Sequence, residues 1–200
     1  MLLSGSGTTL ENLFVKREEG KLPVEIVAVL ASRAGAFGLE RARRRGVPAL
    51  LVERKKYKSA DEFSAEIFAA LRPYQPDLIV LAGFMCMLRI PPAFEGKVIN
   101  VHPALLPAFG GKGFYGHHVH EAVVAHGCKV SGCTVHFVDN EYDQGPIIAQ
   151  KAVPVLEEDT PETLAERVQA AERELYPEII RAIAEGRVSR QERKVIVSRG

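Results

Sequence analysis

Short apolar runs alternate along the first half of the chain with segments in which apolar residues recur at helical spacing. The apolar runs predict strands buried on both faces, at 1–3, 24–30, 49–52, 77–82 and 98–101. Helical spacing follows the glycine-containing loop 4–9, occupies 36–45 and begins again at Ser59. This alternation predicts an α/β fold built on a parallel sheet.

The second half of the chain has a different pattern. Two apolar segments, 130–138 and 147–155, flank the turn-rich loop 139–146 and predict an added strand pair. Thr160 precedes a long amphipathic segment with Pro161 at its first position, which predicts an N-cap. The predicted fold class is therefore α/β, with an open, mostly parallel Rossmann-like sheet flanked by helices, an added C-terminal strand pair and a long helix.

Composition and charge narrow the class of protein. The chain has 200 residues, 46% of them hydrophobic and 26% charged, which is a globular composition. We predict one domain over 1–186 and a charged peripheral tail over 187–200. A net charge of +1 gives no reason to expect nucleic acid or a membrane as a partner. The apolar runs are too short to span a bilayer, and the 3 cysteines are too few for a disulfide framework, so we expect a cytoplasmic protein with free thiols.

The loop 4–9 joins a predicted strand to a predicted helix. Backbone N–H groups at a helix N-terminus favour phosphate, and Gly5 and Gly7 permit close approach of the backbone. Leu10 stands where the dinucleotide pattern requires a third glycine. The sequence therefore favours a monophosphate over a dinucleotide, and the alternative is a tight turn without a ligand.

Asn100 and His102 lie at the end of a predicted strand, where ligands bind in open α/β sheets. Residues two apart on a strand point to the same side, so the two side chains are expected to face one pocket. An asparagine amide can stabilise an oxyanion, and histidine can transfer a proton near neutral pH. The alternative is a structural histidine. The acidic loop 139–146 is typical of a solvated hairpin turn. The alternative is that one of its carboxylates orients His102, and spacing does not choose among Asp139, Glu141 and Asp143.

Two further groups of residues have chemical potential. The apolar loop 83–88 follows another predicted strand and suits a flat ring system, although core packing is the alternative interpretation. Four residues offer possible zinc ligands, but their spacing matches no closed zinc pattern, so no metal is predicted. These are His126, Cys128, Cys133 and His136.

Taken together, these motifs resemble the phosphoribosylglycinamide formyltransferase family, which transfers a formyl group from a folate during purine synthesis. The resemblance extends to about residue 186, and the order and spacing of its motifs make it specific. The matching segments are 4–8, 36–42, 81–85, 100–103, 105–107, 132–138 and 143–148.

The resemblance implies that the amine of glycinamide ribonucleotide attacks the formyl carbon of 10-formyltetrahydrofolate, which is the co-substrate, without a metal. It assigns oxyanion stabilisation to Asn100, proton donation to His102 and pairing with His102 to Asp143. The implied ribonucleotide-binding residues are Gly7, Thr8, Thr9, Gln169 and Glu172. The implied folate-binding residues are Met85, Cys86, Met87, Leu88, Asn100, Asn140, Glu141 and Tyr142.

The chain departs from the family pattern mainly on the folate side. The family usually has arginine at the positions of Cys86 and Ala60, serine at Ala104 and asparagine at Thr9. We therefore expect weakened folate binding with the chemistry retained, and Lys56 or Lys58 as a substitute for one arginine. The expected partners are small molecules only, with no nucleic acid and no membrane, and the chain is expected to be a monomer or homodimer.

Four other interpretations compete with this one. A related tRNA formyltransferase carries an additional C-terminal domain, and a related formyltetrahydrofolate hydrolase carries an additional N-terminal domain. Neither is expected here, because the chain begins at the glycine loop and its tail after Gly186 is short. A non-catalytic nucleotide-sensing module and a zinc-dependent hydrolase are the remaining alternatives, and each is separable from a formyltransferase by experiment.

Overall fold

The computed structural model describes residues 1–198 and has two units, Met1–Ile99 and the chain from Asn100 onwards. The elements of the first unit are β1 (Leu2–Leu3), α1 (Thr8–Glu18), β2 (Val29–Ala31), α2 (Gly38–Arg44), β3 (Ala49–Leu51), α3 (Ala60–Leu71) and β4 (Ile79–Leu81). These strands follow the order β3-β2-β1-β4, and neighbouring strands pair in parallel. Strands β1, β2 and β4 are buried at every position, as strands covered on both faces must be.

The strand predicted over 24–30 is much shorter than its apolar run. It begins only at Val29, because its partners β1 and β3 supply two and three residues for pairing. The carbonyl of Ala28, just before β2, accepts a hydrogen bond of 2.8 Å from the amino group of Met1, just before β1. The residues before Ala28 are half-buried or exposed, so their apolar character reflects packing outside the sheet.

The elements that begin in or belong to the second unit are β5 (Val98–His102), α4 (His117–Ala125), β6 (Val130–Phe137), β7 (Ile147–Pro154), α5 (Pro161–Ala184), β8 (Val188–Gln191) and β9 (Lys194–Val197). Strands β5, β6 and β7 are neighbours in that order, and β6 pairs with β7 antiparallel. The mostly parallel α/β class with an added strand pair and a long helix is confirmed, whereas the single domain over 1–186 stays a prediction.

Both predicted helix caps are present. The Ser59 hydroxyl accepts from the backbone N–H of Glu62 at 3.1 Å, and the Thr160 hydroxyl accepts from that of Thr163 at 3.3 Å. The Glu62 carboxylate accepts from the N–H of Lys58 at 3.1 Å, one residue before the cap. These bonds satisfy N–H groups that have no partner within the helix, and they fix where α3 and α5 begin.

Two elements were not predicted from the sequence. Helix α4 buries Val119, His120 and Val123, but its first turn is rich in histidine and glycine precedes it, which obscured the helical spacing. Residues 188–197, placed by the sequence in a peripheral tail, form the antiparallel hairpin β8–β9. The last two residues of that tail, 199–200, lie outside the described residues. Within residues 1–198 no helix is long and apolar enough to cross a membrane.

Candidate active site

Strand β5 places His102 in a buried position between two acceptors. Its Nδ1 lies 3.6 Å from Oδ2 of Asp143, and its Nε2 lies 2.8 Å from the carbonyl oxygen of Phe109. A carbonyl can only accept, so Nε2 carries a proton and donates to Phe109. The side chain of His102 is only 4% exposed, which keeps water from competing for both contacts.

The loop between β6 and β7 presents Asp143 to this histidine. Asp143 has a left-handed backbone conformation, with a φ of 55°. Its Oδ2 accepts from the backbone N–H of Gly111 at 2.9 Å, which fixes the carboxylate. The other two acids of the loop point elsewhere: Asp139 accepts from the N–H of Glu141 at 3.0 Å, and Glu141 is exposed. The geometry therefore separates three acids that the loop sequence alone leaves equivalent.

A second histidine, His136 on β6, lies beside both Asn100 and the same carboxylate. The Nδ1 of His136 donates to the carbonyl oxygen of the next residue, Phe137, at 2.9 Å. Burial lowers the pKa of His136, so its neutral form is favoured and Nε2 is an acceptor. Nε2 lies 3.3 Å from the Asn100 amide nitrogen and 3.7 Å from Oδ1 of Asp143. One of the two amide N–H groups of Asn100 is thus held, which leaves the other for a ligand.

His136 was missed as part of this site, because the sequence analysis considered it only as a zinc ligand. Alternation along β6 puts His136 on the same face as Thr134. The Thr134 hydroxyl donates to the carbonyl of Ala104, just beyond β5, at 2.6 Å. The alternation along β6 was the one signal in the sequence that could have placed His136 at the site. It could be used only once β6 was known to lie beside β5.

The glycine loop of the first unit is shaped by its own packing. Gly7 is the N-cap of α1 and has a φ of 72°. A Cβ at Gly7 would lie 2.7 Å from the Cα of Gly38, so no side chain fits there. The N–H of Gly38 donates to the carbonyl of Gly5 at 3.2 Å. Thr8 and Thr9 occupy the first turn of α1, whose N–H groups have no partner within the helix.

Arg41 of α2, which belongs to the same unit, contacts the same loop. Its Nε donates to the carbonyl of Ser6 at 3.0 Å, and its Nη1 lies 2.6 Å from the Glu11 carboxylate. The guanidinium therefore joins the loop to the first turns of α1. Arg41 was not among the site residues predicted from the sequence.

The apolar loop after β4 is anchored at its beginning. The Ser4 hydroxyl accepts from the N–H of Met85 at 2.9 Å, and the Phe84 ring stacks parallel to that of Phe63 at 6.2 Å between centroids. Met85 is 51% exposed, whereas Leu88 is buried. Cys86 and Met87 are half-buried. The loop thus offers apolar side chains at the surface on a fixed backbone, as a ring-binding segment requires.

The remaining predicted site residues lie on α5 and in the 139–146 loop. Burial raises the pKa of Glu172 from its ordinary 4.5 to about 7. Burial, helped by the negative charge of Glu172, raises the pKa of the Cys133 thiol to about 12. Gln169, Asn140 and Tyr142 are exposed. An exposed loop and a partly charged glutamate are available to a ligand of this unit.

The four residues considered as possible zinc ligands differ in their contacts and in their burial. His126 Nδ1 donates to the carbonyl of Ala122 at 2.8 Å, and Cys133 is fully buried on β6. No group of three histidine, cysteine or acidic residues within 1–198 is arranged to hold a metal ion.

The structure therefore brings together Asn100, His102 and Asp143, with His136 between them. A family model described as Formyl transferase matches residues 1–180. The chain belongs to this formyltransferase family, in which folate-dependent enzymes transfer a formyl group.

Individual relatives show which members of the family this chain is similar to. The crystal structure of glycinamide ribonucleotide transformylase 1 from Symbiobacterium toebii is 46% identical, covers 98% of this chain and 91% of its own, and superimposes with a TM-score of 0.91. The chloroplastic phosphoribosylglycinamide formyltransferase of Vigna unguiculata is 38% identical over 94% of this chain and 61% of its own length. The trifunctional purine biosynthetic protein adenosine-3 of Gallus gallus is 43% identical over 94% of this chain, which spans 18% of that longer protein.

Proposed function

We propose that this chain transfers the formyl group of 10-formyltetrahydrofolate to the amine of glycinamide ribonucleotide, giving formylglycinamide ribonucleotide and tetrahydrofolate. The observation that carries the proposal is the arrangement of Asn100, the buried His102 and Asp143, with 3.6 Å between histidine and carboxylate. The names of the relatives supply the substrates, since they are glycinamide ribonucleotide transformylases.

The reaction needs an oxyanion stabilised and a proton moved. The substrate amine forms a C–N bond to the formyl carbon, and the formyl oxygen takes the electron pair. The free amide N–H of Asn100 donates to that oxygen. Collapse of the intermediate breaks the bond between the carbon and N10 of the folate. His102 gives N10 a proton, and the proton lost by the amine restores it.

Asp143 holds the His102 ring in one orientation and faces the positive charge that the ring carries during proton transfer. Because Nε2 of His102 donates to the carbonyl of Phe109, that contact must open, or Nδ1 must act, for this histidine to reach a substrate. His136 fixes the Asn100 amide from the other side. In this assignment Asn100, His102 and Asp143 act on the reacting atoms or on the proton they exchange, and His136 is a positioning residue.

The substrate ends are assigned by chemistry. The phosphate binds the N–H groups of Gly7, Thr8 and Thr9 at the start of α1, where the helix dipole favours an anion. Glu172 and Gln169 bind the ribose and glycinamide part. The folate ring binds Met85, Cys86, Met87 and Leu88 after β4, together with Asn140, Glu141 and Tyr142.

The departures from the family pattern predict weak folate binding. Lys56, one suggested substitute for a missing arginine, lies 2.7 Å from the Glu53 carboxylate and is therefore already paired. Installing arginine by Cys86→Arg is expected to lower the KM for the folate with kcat little changed. A KM that does not fall would show that Cys86 is not the cause of weak binding.

The cellular location and the oligomeric state of the chain are the next points. We propose a cytoplasmic monomer or homodimer that binds small molecules and neither nucleic acid nor a membrane. The plant relatives named chloroplastic show that related chains also occur in an organelle. Sedimentation equilibrium of the purified chain gives the assembly, and fractionation of its source cells gives the location.

The deciding experiment mixes purified protein with both substrates and follows tetrahydrofolate release, with His102→Ala as the test variant. His117→Ala is the matched control, because His117 is a half-exposed histidine of α4, 47% exposed at its side chain. Release that needs both substrates, is lost in His102→Ala and persists in His117→Ala supports the proposal. Release without the ribonucleotide identifies a hydrolase, and ribonucleotide binding without turnover identifies a sensing module.

A further inference from the structure

The C-terminal hairpin β8–β9 contacts the loop that carries Asp143. At its turn, Nη2 of Arg193 donates to the carbonyl oxygen of Gln144 at 2.7 Å. The guanidinium of Arg190 lies over the Phe137 ring, 6.0 Å from its centroid, at the outer limit of a cation–π contact. Phe137 precedes the loop and Gln144 directly follows Asp143, so the two arginines contact the loop near both of its ends.

This loop is closed tightly and holds an unfavourable conformation. The N–H of Phe137 donates to the carbonyl of Pro146 at 2.9 Å. A Cβ at Gly145 would lie 1.8 Å from the Phe137 carbonyl oxygen, so the two sides of the loop are in direct contact. Asp143 itself is left-handed, a conformation that is unfavourable for a non-glycine residue and persists only when neighbouring contacts hold it. A shift at Gln144 is therefore passed on to the Asp143 carboxylate.

The hairpin has a firm base from which to hold the loop. The N–H of Arg187 donates to the carbonyl of Ala182 at 2.8 Å, which ties the start of the hairpin to the end of α5. The N–H of Ser198 donates to the carbonyl of Arg187 at 2.9 Å, and the Arg187 guanidinium donates to the carbonyl of Ser198 at 2.9 Å. Residues 188–197 also lie beyond the 1–180 segment that the family model matches.

We propose that Arg193 is a positioning residue for formyl transfer. By holding the Gln144 carbonyl it keeps the Asp143 carboxylate directed at His102, and Arg190 supports the same loop at Phe137. The inference rests on the proposed function, because it gives the hairpin a role in the reaction assigned to Asp143. The tail that the sequence places at the periphery is in this view part of the catalytic apparatus.

The test compares Arg193→Met with Arg193→Lys and Lys194→Met in steady-state assays of the full chain. Lys194 is the adjoining exposed cation of the hairpin, so Lys194→Met removes the same charge and leaves the Gln144 contact in place. We expect Arg193→Met to lower kcat about three- to tenfold with both KM values within about twofold, since misplaced catalytic groups reduce the rate more than binding. Arg193→Lys is expected to recover most of kcat, because a lysine ammonium can also donate to a carbonyl.

A second measurement separates positioning from general loss of structure. Amide hydrogen exchange in 140–146 is expected to accelerate in Arg193→Met, with the urea midpoint unchanged. Three results would overturn the inference: unchanged kcat in Arg193→Met, an equal loss in Lys194→Met, or a lower urea midpoint that accounts for the lost rate. A wild-type chain inactive with both substrates would instead overturn the proposed function, before any variant is compared.

Discussion

The two regions that carry the proposed chemistry present different chemical groups, backbone N–H groups in one and side chains in the other. In the first unit the glycine loop offers backbone N–H groups, and its shape is set by Gly7 against Gly38. In the second unit the site offers side chains, and their positions depend on β5, β6 and the loop before β7 lying in register. The first region is fixed by close packing of one backbone segment on another, whereas the second is fixed by side-chain contacts between paired strands and the loop that joins them. The comparison predicts that the first region responds to changes in backbone freedom and the second to single polar atoms.

The largest expected effect is the loss of the Asp143 charge. Asp143→Asn keeps the shape of the side chain and removes the carboxylate 3.6 Å from His102, so kcat is expected to fall by roughly 10²–10⁴-fold, the range for an acid–base group. Asp139→Asn and Glu141→Gln are matched controls in the same loop and should retain kcat within about twofold. Turnover at saturating substrates measures all three variants. An equal loss in all three would mean that loop charge matters and not the position of Asp143.

This prediction also shows how far the sequence leads. Strand alternation was enough to pair Asn100 with His102, because both residues lie on one short strand. It was not enough to choose among Asp139, Glu141 and Asp143. That choice needs the left-handed turn at Asp143 and the N–H of Gly111, which lies 32 residues away.

Other misses have the same physical origin. The contact between His136 and Asn100 could not be predicted, because it depends on how β5 and β6 align side by side in the sheet. The hairpin β8–β9 has few buried residues to produce a hydrophobic pattern, so its sequence resembled a solvated tail. Most strand positions and both helix caps were predictable because apolar runs and capping residues act locally. Prediction fails here where contacts join residues far apart in sequence.

The next largest effect tests the first region. Gly7→Ala places a Cβ 2.7 Å from the Gly38 Cα at a φ of 72°, and we expect it to reduce the free energy of unfolding by about 2–4 kcal/mol. Gly5→Ala is the matched control, because a Cβ there meets nothing within 4 Å. Urea unfolding measures both variants. Equal losses of stability would break the view that packing against α2, and not flexibility in general, requires the glycine.

A smaller effect is expected from Arg41, which joins the Ser6 carbonyl to Glu11. Arg41→Met should raise the KM for the ribonucleotide about three- to tenfold and leave kcat and the folate KM nearly unchanged, because it loosens a binding loop and no reacting group. Arg44→Met, which removes an exposed arginine of the same helix paired with Glu40, should leave all three constants unchanged. A fall in kcat for Arg41→Met would place this loop in the chemical step.

The last prediction concerns the pH dependence of stability, and it tests a half-buried ionisable group of the second unit, Glu172. The pKa of Glu172 is about 7 in the folded chain and 4.5 in its ordinary state, so between these values the folded chain binds more protons than the unfolded chain. The contribution of Glu172 to stability is therefore complete below pH 4.5 and is lost as the pH rises through 7.

Glu172→Gln removes this titration and keeps the shape of the side chain. We expect the variant to gain stability relative to wild type when both are unfolded in urea at about pH 8 rather than about pH 5. Histidines titrate in both proteins, so their contribution cancels in the difference. Glu178→Gln, at an exposed position of the same helix, should show no such change with pH. A difference between Glu172→Gln and wild type that is the same at both pH values would mean that Glu172 keeps its charge in the folded chain, and that burial in this unit does not govern its protonation.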